Sequence, residues 1–410
     1  MSSQIKTIKD HAVQNKRVLL RVDFNVSLDE EGSIADDAKM KETLPTIHLL
    51  LKEKNKLIII SHLGRPASAN ASAGKPEGRD KAFSLGVVAE RLQKLLPKEC
   101  MVTLVDDFFT AIGQRQIAQQ KENEIMLLEN IRFYKEEQAN NEEFAKKLAQ
   151  LGDIYVNDGF GVSHRQEASI VGIPKFLPSY AGLLLEKEVN AISALMKNPQ
   201  RPFVAIIGGA KIDTKIGLLS KLLSLVDTLI IGGALANTFF LARGYDVGKS
   251  IAQPDKKDAA RDLIDLARQK NRALLLPLDV IVGNPDDAKN SGLPVRVNAI
   301  PGDQFALDIG PETETLFCSA IARAKTIVWN GPVGYAENAL FAHGTDTLYN
   351  AITQNIHAFS LVGGGDTLAS IANKKHNSRI THISTGGGAM LELIEKGTLA
   401  GIEALKNRYQ

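Results

Sequence analysis

The segment ISTGGGAMLEL, from Ile383 to Leu393, places three consecutive glycines between an apolar run typical of a strand and a run of good helix formers. A strand that enters a helix through glycine leaves peptide N–H groups without acceptors and presents the positive end of the helix dipole. Such a junction suits anions, and phosphate groups in particular. The alternative is that the glycines only permit a tight turn or close packing, so the rest of the chain has to decide between these two interpretations.

Short β-branched apolar runs alternate with longer amphipathic runs along the chain, a pattern that indicates parallel sheets covered by helices. Strands are predicted in the first half at RVLLRVD, LIIIS, VTLVD, IMLLE and IYVND. In the second half they are predicted at VAIIGG, TLIIGG, LLLPLD, TIVWNG, FSLVGGG and ITHIST. Between the halves, LLLEKEVNAISALMK has apolar residues at helical spacing. The pattern predicts two α/β domains joined by a helical linker.

Length and composition agree with this organisation. The chain has 410 residues, of which 44% are hydrophobic, enough for two large cores. Lys plus Arg total 49 against 47 for Asp plus Glu, so no charge excess points to nucleic acid or to an anionic membrane. Cys100 and Cys318 stand alone, which fits a reducing compartment and excludes a zinc site built on cysteines. With neither a long apolar run nor an apolar signal core in MSSQIKTIKDH, we expect a soluble cytoplasmic protein.

The residues that follow each predicted strand carry the functional signal, because ligands of open α/β sheets bind at the carboxyl ends of the strands. In the second half these positions are glycines: Gly208 and Gly209, Gly232 and Gly233, Gly363 to Gly365, and Gly386 to Gly388. Four glycine-rich strand ends in one domain favour phosphate binding over close packing as the common explanation. We therefore expect a nucleotide in the second domain.

In the first half the strand ends carry cations and hydrogen-bonding side chains instead. They occur in the segments RVDFN (21–25), SHLGR (61–65), NIR (130–132) and NDGFGVSHR (157–165). A single basic residue is usually a solvated surface charge. Repeated at several ends of one sheet, such residues predict a basic pocket for a small, highly charged anion.

Two other classes of site find little support. A two-domain dehydrogenase would share the architecture, but the chain has no GxGxxG dinucleotide fingerprint. Spacings such as HExxH are also absent from the sequence, which argues against a built-in transition-metal site.

The chain resembles the phosphoglycerate kinase family in eight segments that follow the family's order and cover nearly its whole length. These are VLLRVDFNVS, ISHLGRP, LLENIRF, VNDGFGVSHR, IIGGAKIDTKIGLL, IVWNGPVGYAE, LVGGGDT and STGGGAMLEL. The resemblance implies an α/β fold of two Rossmann-like α/β/α lobes with parallel sheets, joined by a helical hinge about which the lobes close. It also implies reversible phosphoryl transfer between ATP and the carboxylate of 3-phosphoglycerate, giving ADP and 1,3-bisphosphoglycerate, with Mg²⁺ arriving with the nucleotide.

The domain boundaries follow from the same comparison. We expect a phosphoglycerate-binding lobe at 1–182, a linker helix at 183–199 and a nucleotide-binding lobe at 200–396. A tail at 397–410 is expected to pack back on the first lobe. The expected state is a monomer, with no nucleic-acid or membrane partner.

Site residues are transferred only where this sequence matches the family's segments. The substrate-binding residues implied are Asp23, Asn25, Lys39, His62, Arg65, Arg132, His164 and Arg165. The nucleotide-binding residues implied are Gly209, Lys211, Lys215, Gly233, Asn330, Glu337, Gly364, Gly365, Asp366 and Thr367. Asp366 is also the implied metal contact. The catalytic residues implied are Lys39, Lys215, Gly386, Gly387 and Gly388, whose amides would donate to the phosphoryl group in transfer.

Two of the positions that depart from the family's pattern bear on the site. Lys39 stands where the family usually has an arginine, and lysine keeps the positive charge but loses the bidentate guanidinium geometry. Ala336 occupies a position where an aromatic residue is common, which leaves the preference for the nucleotide base open. The substitution at Lys39 motivates the alternative function, a non-catalytic relative that binds nucleotide or phosphoglycerate.

Overall fold

A computed structural model of the chain describes residues 5–11, 13–66, 80–287 and 292–406. It divides the chain into two compact units, one of Met1–Asn190 with Thr398–Gln410 and the other of Ala191–Gly397. The division falls inside the helix Leu183–Lys197, which coincides with the predicted helical segment LLLEKEVNAISALMK.

The first unit is built on a parallel sheet. Its strands are β1 (Arg17–Arg21), β2 (Ser27–Leu28), β3 (Ile34–Asp36), β4 (Lys56–Ile60), β5 (Met101–Val105), β6 (Glu124–Leu128), β7 (Ile154–Asn157) and β8 (Ser179–Ala181). Six of them form one sheet in the order β5-β6-β4-β1-β7-β8, and every neighbouring pair is parallel. The strands β2 and β3 form a short antiparallel pair.

Helices lie between the strands of this sheet along the chain. They are α1 (Ala38–Lys52), α2 (Gly86–Leu95), α3 (Ala111–Ala118), α4 (Lys135–Gln138) and α5 (Glu142–Ala149), and the helix in which the two units divide is α6 (Leu183–Lys197). Their ends follow local chemistry: the side chain of Asn141 accepts a hydrogen bond from the Phe144 N–H at the start of α5, whose first turn is acidic and last turn basic. In β1, Val18, Leu19 and Leu20 are all fully buried. Burial on both faces explains why these strands are continuous apolar runs.

The second unit carries the other parallel sheet. Its strands are β9 (Phe203–Ile207), β10 (Thr228–Ile231), β11 (Ala273–Leu275), β12 (Asp279–Gly283), β13 (Leu293–Arg296), β14 (Phe305–Ile309), β15 (Thr326–Asn330), β16 (Phe359–Gly363) and β17 (His382–Ile383). The parallel sheet has the order β11-β10-β9-β15-β16-β17. Counting its strands along the chain, this is the 3-2-1-4-5-6 order of dinucleotide-binding folds, whose ligands bind where the order reverses.

The helices of the second unit are α7 (Ile216–Leu225), α8 (Ala234–Ala242), α9 (Lys257–Gln269), α10 (Pro311–Arg323), α11 (His343–Gln354), α12 (Gly365–Ile371) and α13 (Gly387–Lys396). The core includes Trp329, Phe317 and Leu348, all fully buried. Each large side chain buried in this way stabilises the fold by about 1.5 to 3 kcal/mol. Helix α13 ends at Gly397, whose φ of 78° lies in the left-handed region that favours glycine.

The last helix, α14 (Ala400–Lys406), belongs to the first unit. The N–H of Gly401 donates to the carbonyl of Ser163 at 2.7 Å, and Ile402 and Leu405 are buried. Residues 407–410, the end of the predicted tail, lie outside the described residues.

The predicted α/β class with two parallel-sheet domains is confirmed, and every predicted strand segment except LLLPLD coincides with one strand. Three other features were not predicted: β8, the pair β2 and β3, and an antiparallel sheet of order β13-β12-β14. The segment LLLPLD, predicted as one strand, instead contains the end of β11 and the first residue of β12. In this sheet β13 contains a proline and is mostly exposed, and the first three residues of β14 are only half-buried, so neither strand is marked by a continuous buried apolar run.

Candidate active site

Three polar residues meet at the carboxyl ends of β1 and β4 in the first unit. Asp23 follows β1, His62 follows β4, and Lys39 lies in the first turn of α1. The Nζ of Lys39 lies 2.9 Å from Oδ2 of Asp23, while Nδ1 of His62 lies 4.0 Å from Oδ1 of the same carboxylate. The structure therefore brings together side chains that are 16 to 39 positions apart in the sequence.

Asn25 links this group to the loop after β4. Its Oδ1 accepts a hydrogen bond from the N–H of Gly64 at 2.8 Å, and its carbonyl lies 3.4 Å from Nζ of Lys39. Gly64 has a φ of 61°, a conformation that glycine adopts without steric cost. A Cβ there would also lie 2.4 Å from the ring of Phe83, so the loop that carries Arg65 depends on this glycine. Arg65 itself is exposed.

His62 is only 1% exposed, and burial lowers its pKa well below the ordinary value, with the positive charges of Arg21, Arg165 and Lys39 acting in the same direction. The imidazole is therefore neutral at pH 7. Within the described parts of the chain, neither of its ring nitrogens has a hydrogen-bond partner. A neutral imidazole has one donor and one acceptor nitrogen, and both are free to serve a ligand.

Two of the predicted arginines converge on one carboxylate. Nη2 of Arg132 lies 3.1 Å and Nη1 of Arg165 lies 3.3 Å from Oε1 of Glu167, and Nη1 of Arg132 donates to the carbonyl of Gly64 at 2.8 Å. His164 is half-buried, and its Nδ1 has no hydrogen-bond partner among the described residues. Glu167 was not predicted, because nothing in SHRQE distinguishes it from a surface carboxylate.

In the second unit, the glycine-rich strand ends pack against one another. A Cβ on Gly208 would lie 2.0 Å from the carbonyl oxygen of Pro332, and a Cβ on Gly387 would lie 2.4 Å from Cα of Gly364. Gly209 and Gly364 have φ values of 104° and 108°. Close packing, the alternative interpretation of these glycines, thus accounts for several of them.

The glycines also lie at the amino termini of helices. Gly233, Gly364 and Gly386 immediately precede α8, α12 and α13, so the strand ends also present helix amino termini. The first turn of α13 contains no acidic residue, and a Cβ on Gly388 would meet open space. Gly387 is half-buried and Gly388 is exposed, so the start of α13 reaches the surface, whereas the N–H of the buried Gly386 donates to Oγ of Ser384 at 3.3 Å.

A lysine and a carboxylate lie beside these strand ends. Nζ of Lys215 donates to the carbonyl of Gly208 at 3.0 Å, and burial lowers the pKa of Lys215 while the charge of Asp366 opposes that shift. Lys211 and Asp366 are exposed. The second unit thus has one half-buried cation held against the glycine-rich strand ends and one exposed carboxylate close enough to influence its pKa.

Asn330 and Thr367 brace the strand ends. Nδ2 of Asn330 donates to the carbonyl of Gly363 at 2.8 Å, and Oγ1 of Thr367 accepts from the N–H of Gly331 at 2.7 Å. Both residues are buried, Thr367 completely. Their side chains fix the loops that follow β15 and β16, and Oδ1 of Asn330 remains available to a ligand.

A cavity of about 500 Å³ opens beside these loops within the second unit. Four of the predicted residues line it, namely Gly209, Gly233, Glu337 and Asp366. The apolar part of its wall was not predicted and includes Phe240, Leu307, Pro332, Val333 and Tyr335. Leu307 lies on β14 of the unpredicted antiparallel sheet, which explains why the sequence pattern did not reveal the wall. Gly365 lies outside this lining, at the start of α12.

Asp308 also lines the cavity, and burial raises its pKa to about 7, with hydrogen bonds from Gly344 and Ile309 acting in the opposite direction. Among the described residues, no group of three or more His, Cys, Asp or Glu side chains is placed to hold a metal ion. Helices of the length and apolar character needed to cross a membrane are likewise missing from the described residues.

Together, the two sheets and their strand ends define an α/β protein with a cation cluster in one unit and a glycine-lined cavity in the other. Residues 8–397 match the family model for phosphoglycerate kinase. The chain belongs to the phosphoglycerate kinase family. It is therefore an enzyme, a kinase within the transferases.

Individual relatives agree over the full length. A phosphoglycerate kinase of Pelotomaculum thermopropionicum is 45% identical over 404 residues, covering 98% of this chain and 99% of the relative. The solved phosphoglycerate kinase of Coxiella burnetii superposes with a TM-score of 0.85 at 38% identity, covering 99% of this chain and 100% of that one. That of Pyrococcus horikoshii gives a TM-score of 0.82 at 31% identity, covering 98% of each chain.

Proposed function

We propose that the chain catalyses reversible phosphoryl transfer between ATP and the carboxylate of 3-phosphoglycerate, giving ADP and 1,3-bisphosphoglycerate. The observation that carries this proposal is the convergence of Lys39, His62, Arg132 and Arg165 around two carboxylates at one edge of the first sheet, in a chain of this family. A substrate that bears both a phosphate and a carboxylate needs such a concentration of donors.

In the first unit, Arg65, Arg132, His164 and Arg165 are proposed to bind the phosphate of phosphoglycerate. Guanidinium groups match phosphate oxygens in a bidentate geometry, and Arg65 is exposed at the loop after β4. His62, Asn25 and Asp23 are proposed to orient the remainder of the substrate. The neutral His62 suits this task because it can donate to one oxygen and accept from a hydroxyl.

In the second unit, the apolar wall around Phe240 and Leu307 is proposed to receive the nucleotide base, with Glu337 beside the ribose hydroxyls. Gly209, Gly233, Gly364 and Gly365 are proposed to bring main-chain amides close to the phosphates. The remaining proposed nucleotide-binding residues are Lys211, Lys215, Asn330 and Thr367. Thr367 acts indirectly, because its hydroxyl accepts a hydrogen bond from the N–H of Gly331 and so positions that loop.

Asp366 is the residue proposed to hold Mg²⁺. An exposed single carboxylate fits this ion, which favours phosphate oxygens plus one or two carboxylates over a complete protein cage. Bound with the nucleotide, Mg²⁺ would offset the negative charge of the β- and γ-phosphates. The charge of Asp366 also opposes the lowering of the Lys215 pKa that burial causes, and so favours the protonated form of the lysine.

The chemistry requires no general base, because the attacking carboxylate of the substrate is already ionised at neutral pH. Catalysis then rests on positioning and on stabilising the charge that develops on the transferring phosphoryl group. Lys215 and the amides of Gly386, Gly387 and Gly388 are proposed to supply that stabilisation in the second unit. Lys39 is proposed to supply positive charge from the first.

We also propose 183–199 as a linker helix between lobes at 1–182 and 200–396, with the tail 397–410 returning to the first lobe. Small-angle scattering that shows the same compactness with and without both substrates would count against closure about this linker. The cytoplasmic location, the monomeric state and the lack of nucleic-acid partners stay predictions from composition.

The experiment is a coupled assay of ATP- and magnesium-dependent phosphorylation of 3-phosphoglycerate by the full chain. Turnover that needs both substrates supports the proposal. The match to the family over nearly the whole chain does not favour the non-catalytic alternative. Binding of both substrates without turnover, or failure to bind either one, would contradict the proposal.

A further inference from the structure

A cluster of charges lies beneath the proposed phosphate-binding arginines, and Glu167 is at its centre. Oε1 of Glu167 lies 3.1 Å from Nη2 of Arg132 and 3.3 Å from Nη1 of Arg165, while its Oε2 lies 3.9 Å from Nη2 of Arg21. Glu167 is 7% exposed and Arg132 is 5% exposed. One buried carboxylate thus contacts three guanidinium groups.

The deeper part of the cluster is fixed by a second carboxylate. Nε of Arg21 donates to the hydroxyl of Ser169 at 2.7 Å, and the N–H and hydroxyl of Ser169 both donate to Glu137. Arg21, Glu137 and Ser169 are all fully buried. Arg21 thus has interior partners for its Nε, while its Nη2 makes no hydrogen bond among the described residues and faces Oε2 of Glu167. The other oxygen of Glu167, Oε1, is the one that contacts Arg132 and Arg165.

Without a carboxylate between them, the guanidinium groups of Arg132 and Arg165 would repel each other. Their side chains would also not be held in single rotamers, so an anion that binds them would have to offset the loss of side-chain entropy. The contacts to Glu167 still leave most donors free. A guanidinium has five N–H groups, and Arg132 uses one on Glu167 and one on the carbonyl of Gly64, while Arg165 uses one on Glu167. Glu167 thus orients both arginines while leaving them able to bind an anion.

We propose that Glu167 is a positioning residue, which holds Arg132 and Arg165 in the orientation that binds the phosphate of the three-carbon substrate. The proposal rests on the proposed function, since it assigns that phosphate to these two arginines. Glu167 acts only through the guanidinium groups. Its effect should therefore fall on the affinity for phosphoglycerate and leave the nucleotide site unchanged.

The test compares Glu167→Ala and Glu167→Gln with Glu143→Ala, a change at an exposed carboxylate in α5 of the same unit. Glu167→Ala is expected to raise the KM for 3-phosphoglycerate at least tenfold while the KM for ATP changes less than twofold. The amide oxygen of glutamine can still accept from both arginines, so Glu167→Gln should recover part of the loss. Glu143→Ala should match the wild type.

A KM for 3-phosphoglycerate within twofold of wild type in both Glu167 variants would overturn the proposal. An equal rise in both KM values would overturn it too, because that pattern indicates a general loss of structure. If Glu167→Ala does not fold, Glu167→Gln decides the matter on the same criteria.

Calorimetric titration of 3-phosphoglycerate into the full chain without nucleotide separates this proposal from the proposed function. If the wild type binds 3-phosphoglycerate and turns over, and the Glu167 variants bind it equally well, only the positioning role of Glu167 is refuted. If the wild type neither binds 3-phosphoglycerate nor turns over, the proposed function is refuted as well.

Discussion

The ammonium group of Lys39 lies 2.9 Å from Oδ2 of Asp23 and 3.4 Å from the carbonyl oxygen of Asn25. The lysine side chain is 32% exposed, and the aspartate side chain is 10% exposed. The ion pair holds the lysine at the carboxyl end of β1, next to His62. A lysine can thus occupy the position where the family usually has an arginine and still place its charge among the other proposed substrate groups.

Replacing Lys39 tests whether its charge or its shape matters. Lys39→Arg should preserve or raise turnover, because the guanidinium keeps the charge and adds a second donor toward the substrate. Lys39→Met should lower kcat at least tenfold, because Asp23 then loses its cation. Steady-state kinetics of both variants measures these effects.

The control is Lys41→Met in the same helix, since Lys41 is more exposed and pairs with Asp37, which Arg91 also binds. It should retain wild-type turnover. A tenfold fall in turnover for Lys39→Arg, about 1.4 kcal/mol in activation free energy, would show that the site has adapted to lysine.

The close approach of two glycine loops predicts different costs for neighbouring substitutions. In Gly387→Ala the new Cβ would lie 2.4 Å from Cα of Gly364, so the backbone has to move, and we expect a loss of about 1 to 3 kcal/mol in the free energy of unfolding. In Gly388→Ala the Cβ meets open space, and the variant should be as stable as wild type or slightly more so. Denaturant titration measures both, and equal stabilities would contradict the packing described.

Glu137 predicts a change of stability with pH. Burial raises its pKa to about 7, an effect partly opposed by the charge of Arg21 and the hydrogen bonds of Ser169. A carboxyl whose pKa is higher in the folded state stabilises the fold fully below its unfolded pKa of 4.5, and this contribution disappears as pH rises through about 7. The contribution corresponds to about 3 kcal/mol.

Glu137→Gln cannot ionise, so its free energy of unfolding should fall less than that of wild type between pH 5 and pH 8. Burial raises the pKa of Asp158 and Asp308 as well, so the difference between variant and wild type isolates Glu137. Glu143→Gln, at an exposed site, serves as the control. Parallel pH profiles for wild type and Glu137→Gln would show that Glu137 is ionised in the folded state throughout this range.

Asp366→Asn tests the proposed metal contact. Removing the charge of the carboxylate should raise the Mg²⁺ concentration needed for half-maximal velocity about tenfold, because a neutral amide is a weaker ligand for a hard cation. The KM for 3-phosphoglycerate should not change. Velocity measured against Mg²⁺ concentration at fixed ATP gives the result, with Asp303→Asn, an exposed change in the same unit, as control. An unchanged Mg²⁺ requirement would remove Asp366 from the metal site.

The central strands could be predicted because both sheets are covered on two faces. Residues such as Val18, Leu19 and Leu20 form uninterrupted apolar runs, which is what burial on both faces requires. Strand β8, with the sequence SYA, and strand β13, with a proline, lack such a run. They form because neighbouring strands supply partners, and that information lies elsewhere in the chain.

Some features of the candidate site could likewise be predicted from the sequence, and others could not. Glycines and arginines at strand ends could be recognised, because parallel strands place those positions at one edge of a sheet. The apolar wall around Phe240 and Leu307 could not be recognised, because it combines α8 with β14, two elements that are far apart in the chain and come together only in the fold.

The sequence by itself determined the two sheets, the glycine-rich and cationic strand ends and the family, because those features depend on residue type and short spacing. Only the tertiary structure decided that Asp23 pairs with Lys39, that the imidazole of His62 is buried and neutral, and that Glu167 lies between two arginines. The physical reason is that burial and charge pairing depend on distances between residues far apart in the chain, and folding alone sets those distances.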